Sequence, residues 1–261
     1  MNASDQSVTY ELRDTVALIG LNREAKRNAI SDRVVEAINT AVERAQSEAR
    51  AAVIHGVGRH FCAGLDLGEH AEKPLFDAVL GSRRWHQVFD RIERGMIPFV
   101  SAITGAAVGG GFELAASTHV RVADSTAFFA LPEGQRGIFV GGGGSVRIAR
   151  LIGPARMGDM MLTGRSLTAP EMEQWGGVTY VVEEGKALER ALEIAARMAQ
   201  NAEFTNYAII NALPRIADMS SEDGLFTESM VATLATMTDD AKDRLRAFLE
   251  KRAPKVQDPN A

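Results

Sequence analysis

Up to about residue 182 the chain alternates short apolar runs with stretches of helical periodicity, and from Ala187 onward it is almost all helix. The apolar runs at 15–21, 51–56 and 98–104, with shorter ones at 120–123, 127–129 and 178–182, read as strands. Their continuous apolarity suits sheets covered on both faces. Between them, Val34, Ile38, Ala41, Val42 and Ala45 recur at helical spacing. Ser31 stands before that helix as an expected N-cap, with Asp32 at the positive end of the dipole. Helices are also expected over about 75–94 and 145–151. Thr168-Ala169-Pro170-Glu171 reads as a capping box whose helix closes at Gly176-Gly177. Further on, Leu188, Ala191, Leu192, Ala195 and Met198 form one stripe. Thr238 reads as the N-cap of a last helix ending at Lys251 and Arg252, followed by a polar, loose tail at 253–261. The pattern predicts an α/β core over 1–186 and a helical region over 187–261.

Composition narrows the function classes. With 261 residues, 46% of them hydrophobic, the chain can bury a sizeable core, which excludes wholesale disorder. A single Cys62 excludes a disulfide framework and any multi-thiolate metal site. His55, His60, His70, His86 and His119 lack metal-ligand spacing, so no metal is expected. The net charge of −5 gives no sign of a nucleic-acid partner. No apolar run approaches the ~20 residues of a membrane span. The opening residues lack a signal-peptide layout, so the expected location is the cytoplasm, with no membrane partner.

The chemistry-bearing features are two glycine-containing turns and two carboxylates. Ala63-Gly64-Leu65-Asp66 and Gly109-Gly110-Gly111 place backbone where no bulky side chain intrudes, and amides so exposed can hold a developing oxyanion. Glycines of this kind also serve merely to end strands or pack helices closely. The second run is neither a dinucleotide fingerprint nor a P-loop, and no nucleophile elbow is present. Glu113 opens the glycine-rich helix and Glu133 follows Pro132. Two carboxyl groups converging on an apolar site divide into base and acid. The bland alternative makes Glu113 a dipole partner and Glu133 a surface turn residue. Cys62 reads as a buried, inert thiol, and Arg23, Lys26 and Arg27 as either a phosphate site or a solvated loop.

Taken together and in order, these segments resemble the crotonase superfamily, the enoyl-CoA hydratase/isomerase family. Leu21-Asn22-Arg23 with Asn28-Ala29 is similar to its N-terminal segment, and Phe61-Cys62-Ala63-Gly64-Leu65-Asp66 to its F-x-A-G-x-D. Gly105 with Gly109-Gly110-Gly111-Phe112-Glu113-Leu114-Ala115 is similar to G-x-x-x-G-G-G-x-E-L-A. Pro132-Glu133 with Gly137, Leu162-Thr163-Gly164 and Phe248-Leu249-Glu250-Lys251-Arg252 continue the resemblance to the C-terminus.

The resemblance implies a crotonase-like spiral of ββα turns, a C-terminal helical trimerisation region, and a homotrimer or dimer of trimers. It implies an acyl-CoA thioester substrate, CoA being part of that substrate and no separate cofactor being needed. It assigns the Leu65 and Gly110 amides to the oxyanion hole and Glu113 and Glu133 to catalysis. Backbone around Ala63, Asp66 and Leu67 is implied to face the adenine, with Arg23 and Lys26 near the phosphates. Two glutamates favour hydration of a trans-2-enoyl-CoA over enoyl-CoA isomerisation, hydratase-lyase cleavage or non-catalytic thioester binding. Departures from the pattern are Glu24 and His119 at positions usually Pro and Asp, and Ile138-Phe139-Val140 without a Pro before Gly141–Gly144. Phe139, Phe112 and Trp85 are either acyl-pocket or core residues.

Overall fold

The computed structural model describes residues 7–68 and 74–252; His70 and the tail expected to be loose at 253–261 lie outside the described residues. Strand β1 (Val8–Arg13) precedes β2 (Val16–Leu21), β3 (Ala51–Gly56), β4 (Phe99–Ile103), β5 (Ala106–Val108), β6 (Val120–Asp124), β7 (Phe128–Ala130), β8 (Ser166–Thr168) and β9 (Tyr180–Val182). Six of them form one sheet in the order β1-β2-β3-β4-β6-β9, parallel except for the β1–β2 pair. The other three form a second sheet, β5-β7-β8. Every residue of β2 is buried because both faces of the large sheet are covered. Strand β1 has no counterpart in the sequence expectation: its Glu11 and Arg13 are exposed on an edge, so it carries no continuous apolar run.

The helices are α1 (Asp32–Glu48), α2 (Leu75–Glu93), α3 (Gly110–Ala116), α4 (Gly144–Ile152), α5 (Pro154–Thr163), α6 (Ala169–Gln174) and α7 (Ala187–Ala199), then α8 (Glu203–Asn211), α9 (Leu213–Ala217), α10 (Ser221–Met237) and α11 (Asp239–Leu249). Three successive ββα turns are traceable. After β3, Cys62 bridges to Ala107 of the second sheet and α2 follows. The next turn is β4, β5 and α3, and the third is β6, β7 and α4. Each turn therefore brings the start of a helix, or the loop before one, to the second sheet.

The larger core lies on one face of the six-stranded sheet. It joins Ile19, Leu21, Ile54 and Ile103 to Val34, Val35, Ile38 and Val42 of α1 and to Phe61, Phe112 and Phe129. Burying each large aliphatic side chain of α1 contributes about 1.5–3 kcal/mol. The opposite face buries Leu18, Val53, Val100 and Val122 under Ala187, Ala191 and Ala195 of α7. Helix α7, expected to open the C-terminal region at 187, thus belongs with the sheet, and the chain divides between Gln200 and Asn201. The alanines of its stripe are what let it lie close to the strands. The second unit, α8 to α11, leaves Leu225, Phe226, Leu245 and Phe248 exposed.

Local signals fare differently. Thr238 caps α11 by accepting from Ala241 N at 3.2 Å, and Glu171 accepts from Thr168 N at 2.8 Å at the start of α6. Ser31 occupies the N-cap position of α1 with extended backbone, but its side chain makes no capping bond. Its Oγ is buried without a partner. Among the described residues no helix is long and apolar enough to cross a membrane, and no group of His, Cys, Asp and Glu side chains could hold a metal ion.

Candidate active site

The glycines at 64 and 109–111 bring two loops into near contact. Gly64 has φ +90°, and a Cβ there would lie 2.5 Å from Val108 O and 3.4 Å from Gly110 N. Only a residue without a side chain permits this approach. Ile30 pins the Gly64 loop: its N–H donates to Gly64 O and its carbonyl accepts from Asp66 N, both at 2.8 Å. These bonds use the peptides on either side of Leu65, so the Leu65 N–H turns the other way. Gly110 is the first residue of α3, where an N–H has no intrahelical acceptor. Among the described residues neither amide has a backbone acceptor, and Leu65 and Gly110 both line one cavity of about 260 Å³.

Glu113 and Glu133 line the same cavity. Glu113 comes from the first turn of α3 and is 3% exposed. Its Oε1 accepts from Gly142 N and Gly144 N, both at 2.8 Å. Burial raises its pKa above the ordinary carboxylate value, and the Gly144 and Gly142 amides pull it back down. Glu133 leads into the 3-10 turn at Gly134–Arg136 and is 6% exposed. It rests against Gly109, where φ is +50° and a Cβ would lie 2.5 Å from Glu133 Oε1. Its Oε2 is buried without a partner. Burial raises its pKa, and the charge of Glu113 raises it further. Two carboxyl groups with raised pKa values facing one cavity can share a proton and divide acid from base.

The remaining wall is mainly apolar. Trp85 of α2 packs edge-on against Phe89 and lies over Gly110. Phe139 is 70% exposed and lines the cavity with Ile138 and Val140. Phe112 is fully buried against Phe129 with ring centroids 5.1 Å apart, and is a core residue. Asp32 and Arg136 also line the cavity; the sequence offered no reason to place either there.

Of the binding residues expected from sequence, Ala63 lines the cavity. Asp66 sits just outside it, buried, with its Oδ2 3.0 Å from Arg23 Nη2 and 2.8 Å from Lys26 Nζ. The Lys26 bond, then that from Arg23, holds the Asp66 carboxyl below its usual pKa. Arg23 also donates to Ala29 O at 2.7 Å. Leu67 is on the surface, 52% exposed. Cys62 is fully buried and its thiol is pushed up to about 12 by burial. His119 replaces a carboxylate with a purely structural link: Phe99 N donates to its Nδ1 at 2.9 Å, and its Nε2 lies 3.1 Å from Glu93 O.

The chain is similar to known proteins along nearly its whole length. The family described as Enoyl-CoA hydratase/isomerase matches residues 11–259. The enoyl-CoA hydratase EchA19 of Mycobacterium tuberculosis is 32% identical over 97% of this chain and 97% of its own. The 2,3-dehydroadipyl-CoA hydratase of Escherichia coli is 36% identical over 92% of this chain and 94% of its own. A crystal structure from Rhodopseudomonas palustris, assigned to the enoyl-CoA hydratases, superposes with TM-score 0.92 at 48% identity, covering 96% of this chain and 97% of that one. The enoyl-CoA hydratase of Bacillus anthracis gives TM-score 0.89 at 30% identity, covering 96% and 99%. A match this continuous, on a mixed α/β fold whose turns deliver the expected loops to one cavity, places the chain in the enoyl-CoA hydratase/isomerase family of the crotonase superfamily, as an enzyme of the hydro-lyase type.

Proposed function

We propose that the protein adds water across the 2,3 double bond of a trans-2-enoyl-CoA. The observation that carries this reading is the convergence of Glu113, Glu133 and the Leu65 and Gly110 amides on one cavity. The two N–H groups polarise the thioester carbonyl. Charge collects on its oxygen as water adds, and each such donor contributes about 3–4 kcal/mol to transition-state stabilisation. Glu113 takes a proton from the water as its oxygen bonds to Cβ, and Glu133 delivers a proton to Cα. The division suits the surroundings: two amides favour the anion of Glu113, while burial and the partnerless Oε2 of Glu133 favour its protonated form.

The CoA moiety lies along the Ala63–Leu67 loop, its adenine against backbone at Ala63, Asp66 and Leu67, with Arg23 and Lys26 near its phosphates. Lys26, 47% exposed at its side chain, supports that placement. CoA arrives as part of the substrate, and no other cofactor takes part. The exposed Leu225, Phe226, Leu245 and Phe248 support self-association, which we read as a homotrimer or dimer of trimers; the location proposed for the enzyme is the cytoplasm.

Crotonyl-CoA in deuterated water tests the reading. A hydratase adds water and labels Cα; an isomerase exchanges protons without adding water; an inert binder does neither. Glu133→Gln is expected to lower turnover by about 100-fold or more while leaving CoA affinity in place. Unchanged turnover in that variant removes Glu133 from the mechanism.

A further inference from the structure

The glycine turn at 141–144 that holds Glu113 is itself held from behind, and the hold converges on one buried guanidinium. Arg147, on α4, has a side chain only 6% exposed. Its Nε pairs with Glu93 Oε2 at 2.8 Å, its Nη2 pairs with Asp90, and its Nη1 donates to Gly142 O at 3.0 Å. Asp90 and Glu93 are three residues apart on α2 and so share a face. Ser82, earlier on that helix, donates to Gly141 O at 2.7 Å. The same turn faces the other way through its amides, with Gly142 N and Gly144 N on Glu113 Oε1. Gly142 thus transmits the constraint through one residue: Arg147 grips its carbonyl while its amide grips Glu113. Gly143 has φ +99°, and a Cβ there would collide with the Arg147 guanidinium. Asp90 and Glu93 reach the buried guanidinium from the solvent side, so the pairing adds little net stability, but a planar guanidinium bonded in three directions fixes a geometry.

We propose that Arg147 is a positioning residue for hydration: anchored by Asp90 and Glu93, it fixes the glycine turn whose Gly142 and Gly144 amides orient Glu113. The proposal rests on the reading of Glu113 as the base. Among the described residues, the titratable and charged groups around Glu113 and the turn are Asp32 from α1, Glu133 and Arg136 from the segment after β7, Arg147 from α4, and Arg83, His86, Asp90 and Glu93 from α2. When the turn loosens, Glu113 loses the amides that pull its pKa down, and the acid limb of the rate profile moves to higher pH; the Arg147 charge also pulls that pKa down directly, so Arg147→Met removes both influences and Arg147→Lys, which keeps the charge, reads the turn alone.

The test compares wild type with Arg147→Met, Arg147→Lys and the double variant Asp90→Asn/Glu93→Gln. The readouts are kcat and KM on crotonyl-CoA, the pH profile of kcat, affinity for unreactive butyryl-CoA, and amide hydrogen exchange over 141–144. In Arg147→Met, kcat is expected to fall by about 10- to 100-fold, with KM and butyryl-CoA affinity within about threefold of wild type. The acid limb is expected to shift upward and exchange of the turn to accelerate by about tenfold or more. Arg147→Lys falls between, because an ammonium keeps the charge and loses the fork. If Arg147→Met does not fold, Arg147→Lys and the anchor variant carry the same comparison. Wild-type exchange with an unmoved acid limb overturns the proposal, and so does a loss expressed equally in substrate binding. If wild type hydrates no enoyl-CoA, the hydratase reading falls, and exchange over 141–144 still decides whether Arg147 sets the turn: acceleration upholds that role and wild-type exchange overturns it.

Discussion

Gly64→Ala isolates the close approach on which the paired amides depend. The new methyl would sit 2.5 Å from Val108 O, so the two loops must separate by roughly 1 Å to reach ordinary van der Waals contact. Leu65 N rides on one loop and Gly110 N follows Val108 on the other, so the wedge opens the gap between the two donors. A misplacement of about 1 Å costs on the order of 100-fold in rate, equivalent to about 2.7 kcal/mol of barrier. Stability falls as well. The left-handed backbone at φ +90° costs an L-residue about 1–2 kcal/mol, and the overlap with backbone adds about 1–3 kcal/mol. Crotonyl-CoA hydration and thermal unfolding measured side by side supply the assay. Gly158→Ala is the control: it lies in α5 with nothing within 4 Å of the added methyl, and alanine there gains up to about 1 kcal/mol of helix propensity. A Gly64→Ala enzyme with turnover within about threefold of wild type and an unshifted melting temperature would refute the argument that this contact sets the donors.

The raised pKa of Glu133 has a consequence for stability. Its folded value lies above its unfolded one, so the folded state binds more protons between the two. Stability is then greatest below the unfolded value of about 4.3 and declines as pH rises through the folded value. Glu133→Gln removes that decline, so its melting temperature relative to wild type should be higher at pH 8 than at pH 4; no difference between the two conditions contradicts a carboxyl group whose folded pKa is raised by burial. Cys62, fully buried with its thiol pushed up to about 12, should resist iodoacetamide at pH 8 in the native protein and react once it is unfolded, as read by intact mass.

Much of the fold is legible from local pattern. The runs that became β2, β3 and β4 are apolar because both faces of their sheet are covered, and α1 announces itself by a stripe of buried residues. Strand β1 escapes such reading because an edge strand alternates charge with apolar contact. Strands β5 and β8, Ala106-Ala107-Val108 and Ser166-Leu167-Thr168, lack the consecutive bulky apolar residues that mark the equally short β7 and β9. Ser31 illustrates the limit of capping rules: the residue type and position suit a cap, yet its hydroxyl makes no such bond. The paired glutamates and glycine turns were readable as candidates, and their order along the chain identified the family. Arg147 carried no comparable signal, since a single basic residue on a helix reads as a solvated charge.

Local composition and periodicity alone marked the apolar strands β2, β3 and β4 and the striped helices α1 and α7, showed that a core of this size is possible, and set which residue types were available for chemistry. They did so because burial leaves a trace in the spacing of neighbouring residues. Only the tertiary structure decided that Glu113 meets the amides of Gly142 and Gly144, 29 and 31 residues further on, and that α7 belongs with the sheet. It also decided that Arg23 and Lys26 converge on Asp66. Those meetings depend on strand register and on how each turn closes. The protonation preferences of the two glutamates depend on how far the surrounding fold excludes water, which no spacing along the chain records.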